Sequence, residues 1–378
     1  MSVDAWGFDV ERQTAAHRLR SLHIRLSAIR TAVAAGLTLA LVLGGAGALR
    51  DWVVSFRVPP WIATVLFLVL LFAVVTAVDL PFRYVGGYRL ERTFGLSAQR
   101  FAGWMKDLAK SLGLGLGSTV AAGYILLWLL GVWPIWWWLA AWLLSLAVSV
   151  VLAFLAPIVL VPLFFRFRPL EDPSLRARFE SLAAQANVPI VGVFELRASE
   201  KTRRSNAAVM GLGRTRRVVV TDTLLRDFRP EEIETVLAHE LAHQKFLDPL
   251  RGFMLGSVTS LVILAVGAWL YSILFSSLGI RSIGDMAGLP LLAAILGLVS
   301  LPLRPLELSW SRAREARADR FSLQLTHDPA NFATAMAKLH DQNLGVADPR
   351  TWEKWLFYSH PPGRERVELA RSFRGSPA

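Results

Sequence analysis

Residues 135–165 read IWWWLAAWLLSLAVSVVLAFLAPIVLVPLFF, 31 positions with no charged side chain. A helix crosses a bilayer with about 20 mostly apolar residues. This stretch therefore spans, either strongly tilted or running on as a helix beyond Pro157 and Pro162. Five further stretches share its character: 31–49, 61–78, 114–133, 252–278 and 286–306. The composition agrees. Of 378 residues, 54% are hydrophobic and 19% charged, with 14 Trp and 21 Phe, and the mean hydropathy is +0.43; soluble domains carry about 25% charged residues. The first span follows 30 residues holding five arginines. That is longer than a signal-peptide n-region and lacks a small-residue cleavage site, so the span is retained. The chain has no cysteine, which excludes disulfides, a thiol nucleophile, Cys-ligated zinc and iron–sulfur clusters. Any metal site must be built from His, Asp or Glu.

The polar segments alternate in basic charge. Lys and Arg number five before the first span, two in 50–60, six in 80–112, fifteen in 166–251 and one in 279–285. The positive-inside rule places both termini and the two long loops in the cytoplasm, and an even number of spans agrees. The division expected is a cytoplasmic N-terminal segment 1–30 and four spans over 31–165 with a cytoplasmic loop at 80–112. A cytoplasmic region 166–251, a transmembrane hairpin 252–306 and a C-terminal cytoplasmic region 307–378 follow. The net charge of +12 follows this topology, and no nucleic-acid motif accompanies it. Within 166–251, residues 175–187 read as a helix, and 189–198, 204–210 and 215–221 as strands of a small antiparallel sheet. Val191, Val193 and Val218 to Val220 supply the β-branched residues, and Gly211 to Gly213 the turn. Pro230, Glu231 and Glu232 open a helix that runs to about 246. The fold class expected is a mainly α-helical polytopic membrane protein, with about six transmembrane helices and a cytoplasmic α+β domain.

That last helix holds His239-Glu240-Leu241-Ala242-His243. Residues four apart on a helix lie one above the other, so His239 and His243 reach one zinc ion. Glu240 is turned to hold a water on that ion and act as general base. Zinc in a hydrolase takes a third protein ligand and leaves one position open, and no third His follows closely. The run Ser311-Arg312-Ala313-Arg314-Glu315-Ala316-Arg317-Ala318-Asp319 has helical character, with Ser311, Glu315 and Asp319 on one face. Alone it reads as a solvated helix of i,i+4 ion pairs. Beside a His-Glu-x-x-His helix, Glu315 can be the third ligand and Asp319 the acceptor of a ligand histidine's free ring N–H.

These segments give the chain a specific resemblance. Leu80-Pro81-Phe82-Arg83 with Phe94-Gly95 comes first. Ser205-Asn206-Ala207 through Gly211 then runs on to Val218-Val219-Val220-Thr221-Asp222-Thr223-Leu224-Leu225. After His239 to His243 come Ser311-Arg312, Glu315, Ala318-Asp319 and His360-Pro361-Pro362. In that order, over about residues 60–375, the chain resembles the type I CAAX prenyl proteases, membrane-embedded zinc endopeptidases on the gluzincin plan. One departure stands out. Eukaryotic members have seven spans against six here, with one fewer before Leu80-Pro81-Phe82, so the intramembrane chamber of those members is expected to be smaller or less closed. The resemblance implies a gluzincin-type catalytic domain with one zinc per chain. It implies that Asn206 sits on a strand edge that aligns an extended substrate. It also implies that His360 donates to the oxyanion and that Arg366 meets an anionic substrate group such as a C-terminal carboxylate. Rival readings are an ordinary turn for Asn206, a surface His for His360 and structural pairing for Arg366. Asp222 is expected to cap the following segment. Asp248 and Glu307 receive no role, and His17, His23, His327 and His340 read as surface or packing residues.

The function expected is a membrane-embedded zinc metalloendopeptidase, with Glu240 and His360 catalytic and His239, His243 and Glu315 holding the metal. Asp319 stands behind the ligands, and Asn206 and Arg366 contact substrate. A membrane-protein quality-control protease without prenyl specificity, a silent scaffold and a transporter are the alternatives; few charges within the spans argue against transport. Of the 41 basic residues, 35 are Arg, the usage of a GC-rich bacterial genome. That points to a bacterial inner membrane with the active site facing the cytoplasm. The partners expected are a peptide or membrane-protein substrate, with or without a prenylated C-terminus, and the lipid bilayer, with no nucleic acid.

Overall fold

The computed structural model describes residues 2–211 and 213–374. Met1 of the N-terminal segment, Leu212 in the glycine turn and 375–378 of the C-terminal region lie outside the described residues. Helix α1 (Val10–Ala40) begins where Asp9 accepts from the Arg12 amide. It continues through a wide turn, in which Gly44 takes φ +135°, into α2 (Ala46–Ser55). That backbone conformation is one that residues with a side chain rarely reach. Next come α3 (Pro60–Tyr84), α4 (Phe101–Val132) and α5 (Trp137–Leu155). Beyond α5 the long apolar stretch widens at Ala156–Leu160 before a last turn to Phe164. Proline lacks the amide that a regular helix needs, so the helix widens at Pro157 yet runs on past Pro162 to Phe164, one of the two courses that the sequence allowed.

The insert then supplies β1 (Phe167–Pro169), α6 (Pro173–Gln185), β2 (Val193–Leu196), β3 (Ala207–Met210), β4 (Arg217–Thr221) and α7 (Pro230–Lys245). The sheet runs β1-β2-β4-β3. It is mixed rather than antiparallel as expected, because β2 and β4 pair in parallel. The cause is the link between β2 and β3. The Asp222 carboxylate accepts from the amides of Ala198 and Ser199 at 2.9 Å each, and the Arg203 amide donates to the Leu96 carbonyl at 2.9 Å. So tethered, the link does not fold as a tight hairpin, and β3 lands one place away. β4 fills the gap, and its Val218, Val219 and Val220 are almost wholly buried, as a strand covered on both faces requires. The structure also corrects Asp222. It holds this link, while Thr221 caps the helix that follows by accepting from the Leu224 amide.

The chain re-enters the membrane region with α8 (Asp248–Leu274) and α9 (Leu289–Ser300) and leaves through α10 (Arg304–Thr326), α11 (Pro329–Asn343) and α12 (Gly363–Ser372). Among the described residues, six helical stretches are long and apolar enough to cross a membrane. They pack side by side in the ring α1-α3-α4-α5-α8-α9 and back to α1. The buried share of each apolar window runs from 0% for the fourth span to 33% for the last. At one end Arg50 pairs with the buried Asp285, joining the two short loops. At the other end a single apolar cluster draws Phe179, Val218 and Leu237 from the insert, Phe321, Phe332 and Val367 from the tail, and Phe8 from the N-terminus. The two polar regions therefore share one core, which brings α7 and α10 together.

Candidate metal centre

Helix α7 starts where Glu232 accepts from the Arg229 amide at 2.8 Å, with Pro230 in its first turn. Ile233, Leu237 and Leu241 face the core. Fully buried Ala238, Ala242 and Ala318 let α7 and α10 lie close, and Ser322 donates to the Thr235 carbonyl at 2.6 Å to tie them. This packing aims Glu315 and Asp319, one turn apart on α10, at the histidines of α7. His239 Nδ1 lies 2.8 Å from Asp319 Oδ1, and His243 Nδ1 lies 2.9 Å from Asp248 Oδ2.

Each Nδ1 thus gives its proton to a carboxylate, and each Nε2 presents a lone pair inward. The two Nε2 atoms are 3.3 Å apart. Glu315 adds oxygens 3.1 Å from His239 Nε2 and 3.5 Å from His243 Nε2. Three acceptors converging this closely repel one another unless a cation sits among them. Bonds of about 2.1 Å to a tetrahedral zinc ion set ligand atoms roughly 3.4 Å apart, which matches these separations. The same demand for positive charge acts on protons. Burial alone lowers the His239 imidazole, yet the Asp319 and Glu315 carboxylates outweigh it and raise it to about 9.

The outer partners are held in turn. Arg366 donates to both Asp319 oxygens, at 2.9 and 2.5 Å. It is buried, so this guanidinium braces the carboxylate behind His239, and its expected role at an anionic substrate group has a structural competitor. Asp248, given no role from the sequence, orients His243 and is itself paired with Arg317. The left-handed Leu247, φ +55°, turns the chain so that an acid five residues past the second histidine reaches back to it. A carboxylate just beyond the metal helix was the available signal.

Glu240 and His360 flank the cluster. Burial raises the Glu240 carboxyl, opposed in part by His239 and His243. His360 Nε2 lies 3.3 Å from Glu315 Oε2, with a side chain 57% exposed. Arg312 places its segment by donating to the Tyr358 carbonyl at 2.7 Å. Both residues line a cavity of about 250 Å3 that also takes in Asn206, Met336, Leu339 and His340. Asn206 is exposed where β3 begins, and β3 is an edge strand beside α7. His340, read from the sequence as a surface or packing residue, lines this cavity. Its Nδ1 donates to the Met336 carbonyl at 3.0 Å, and burial, aided by the Arg366 charge, lowers it to about 4. A side chain at Gly363 would strike its ring at 2.7 Å.

Comparison with known proteins agrees with this architecture. Residues 169–374 match the model of peptidase family M48, and residues 9–166 match that of the CAAX prenyl protease N-terminal region with five membrane helices. The Bacillus subtilis protein named uncharacterized metalloprotease YhfN is 29% identical over 348 residues, 89% of this chain and 80% of that one. A rice CAAX prenyl protease 1 homolog is 32% identical over 304 residues, 76% of this chain and 68% of that one. The crystal structure of S. mikatae Ste24p shares the fold at a TM-score of 0.84, covering 96% of this chain and 89% of that one at 23% identity. With a His-His-Glu cluster beside a ring of membrane helices and the two family models matched over residues 9–166 and 169–374, the chain belongs to peptidase family M48, as a membrane-embedded metalloprotease that hydrolyses peptide bonds.

Proposed function

We propose that the chain binds one zinc ion through His239, His243 and Glu315 and cleaves extended peptides at that centre. The observation that carries the reading is the convergence of two Nε2 atoms 3.3 Å apart with the two Glu315 oxygens, one 3.1 Å from His239 and the other 3.5 Å from His243, each histidine backed by its own carboxylate. Zinc, when bound, supplies Lewis acidity that acidifies a water and polarises the scissile carbonyl. The residues do the rest. Glu240 accepts the water's proton at its carboxylate and passes it to the leaving amine; burial makes that carboxylate a stronger base. His360 donates from Nε2 to the oxygen that gains charge on the carbonyl. Asp319 and Asp248 fix the ring orientation of the two ligand histidines. The edge of β3 at Asn206 aligns the substrate backbone, and Arg366 contributes through Asp319.

The site faces the cytoplasm, in a bacterial inner membrane, on the strength of the basic loops at 80–112 and 166–251. A Cys introduced at exposed Gln185 should then react only with a membrane-permeant reagent in intact cells, and one at exposed Ser282 with an impermeant reagent as well. The reverse pattern overturns the orientation. Relatives carry the name CAAX prenyl protease, so the substrates to compare are matched C-terminal peptides with and without a prenyl group. Glu240→Gln should retain one zinc per chain and lose about 100- to 10,000-fold in peptide hydrolysis. Full activity in that variant would remove Glu240 as the base.

A further inference from the structure

A second cleft, of about 230 Å3, lies away from the metal cluster where α4 begins, the α5 stretch ends and the link between β2 and β3 passes. Lys106, Lys110, Arg166, Arg197 and Lys201 line it, against the carboxylates of Asp107 and Glu200. Asp107 is already engaged, 2.5 Å from Lys201 Nζ and 3.8 Å from Lys110 Nζ, and Lys110 also donates to the Leu163 carbonyl at 2.8 Å. Among the described residues, the side chains of Lys106, Arg166 and Arg197 have no hydrogen-bond or ion-pair partner, and all three are exposed. The cleft thus presents three uncommitted cations.

Its position names the anion. Residues 111–132 and 135–165 carry no charge, and Lys110 and Arg166 are the first charges at their ends. The cleft therefore sits at the boundary between apolar and polar chain. Leu163, Phe164 and Phe165 line it too, and Lys201 Nζ lies 5.1 Å from the Phe165 ring centre. An apolar rim under a cluster of cations, next to a spanning helix, is the setting in which an anionic phospholipid headgroup is held. We propose that this cleft binds one anionic phospholipid from the leaflet on the catalytic side, its phosphate among Lys106, Arg166 and Arg197 and its acyl chains along α4 and the end of the α5 stretch. The site joins two membrane helices to the link that leads to Asn206, so the bound lipid braces the catalytic region on the bilayer. This proposal does not depend on the metal chemistry.

The test uses the full chain in detergent micelles, with phosphatidylglycerol or phosphatidylcholine as the probe and thermal melting and a fluorescent phosphatidylglycerol as readouts. Phosphatidylglycerol should bind saturably and raise the melting temperature more than phosphatidylcholine does. Replacing Lys106, Arg166 and Arg197 together by Gln should weaken its binding about a hundredfold, while the same change at exposed Arg320, Arg350 and Arg374, outside the cleft, leaves it unaltered. Should the triple variant not fold, Arg197→Gln alone is expected to lose roughly fivefold. Equal response to both lipids, equal loss in the control variant, or full replacement of the lipid effect by soluble glycerol phosphate would each overturn the proposal.

Discussion

Helix α7 carries two histidines, four glutamates and a lysine, yet ten of its 16 residues are buried. Helix α5 is almost wholly apolar, yet among its 19 residues only Trp137 is buried. The less hydrophobic helix is the better buried one. In α7 the buried Glu232, His239 and Gln244 find partners on other elements, so their burial is tolerated. In α5 lipid solvates the side chains, and no hydrophobic force drives them against other helices. Hydropathy in this molecule therefore reports which solvent a helix meets, and burial must be judged from the partners that a helix finds.

Matched truncations test that contrast directly. Leu237→Ala on α7 empties space in a closed core and should cost about 2–5 kcal/mol of stability, followed by denaturant unfolding in detergent. Among the catalytic groups, His360→Ala should lower turnover about 100- to 1000-fold at unchanged zinc content; a near-normal rate would make its segment structural. Asp248→Asn leaves both histidines in place and weakens the support of one. It should reduce zinc affinity about 10- to 100-fold, measured by competition with a chelator, and unaltered affinity would show that His243 needs no partner. The smallest effect is expected for Leu152→Ala, 45% exposed on α5, at under about 0.5 kcal/mol. A cost there as large as at Leu237 would break the comparison and mean that α5 packs against protein.

Much of the architecture was legible because its signals are local. Twenty apolar residues in a row describe a span wherever they fall, and the four-residue step between His239 and His243 is fixed by the helix that holds them. Glu315 was readable only at one remove: it shares one helical face with Asp319, and the run reads as a ligand segment only beside the His-Glu-x-x-His helix. The mixed sheet was not readable. Strand propensity identifies Val218 to Val220 as a strand, but whether β4 pairs beside β2 or beyond β3 depends on where the link is tethered, and Asp222 and Leu96 decide that from distant positions.

The same division runs through the site. By itself the sequence determined the His-Glu-x-x-His helix and the number of long apolar helices, since each follows from spacing or composition within one segment; the candidate third ligand took two segments read together. Only the tertiary structure decided that Asp248 turns back on His243, that Arg366 braces Asp319, and that His340 packs in the wall of the cleft. Those assignments depend on orientation. A left-handed residue at 247, a glycine at 363 and the packing of α11 against α12 set it, and a side chain's direction in space is a property of the packed elements around it.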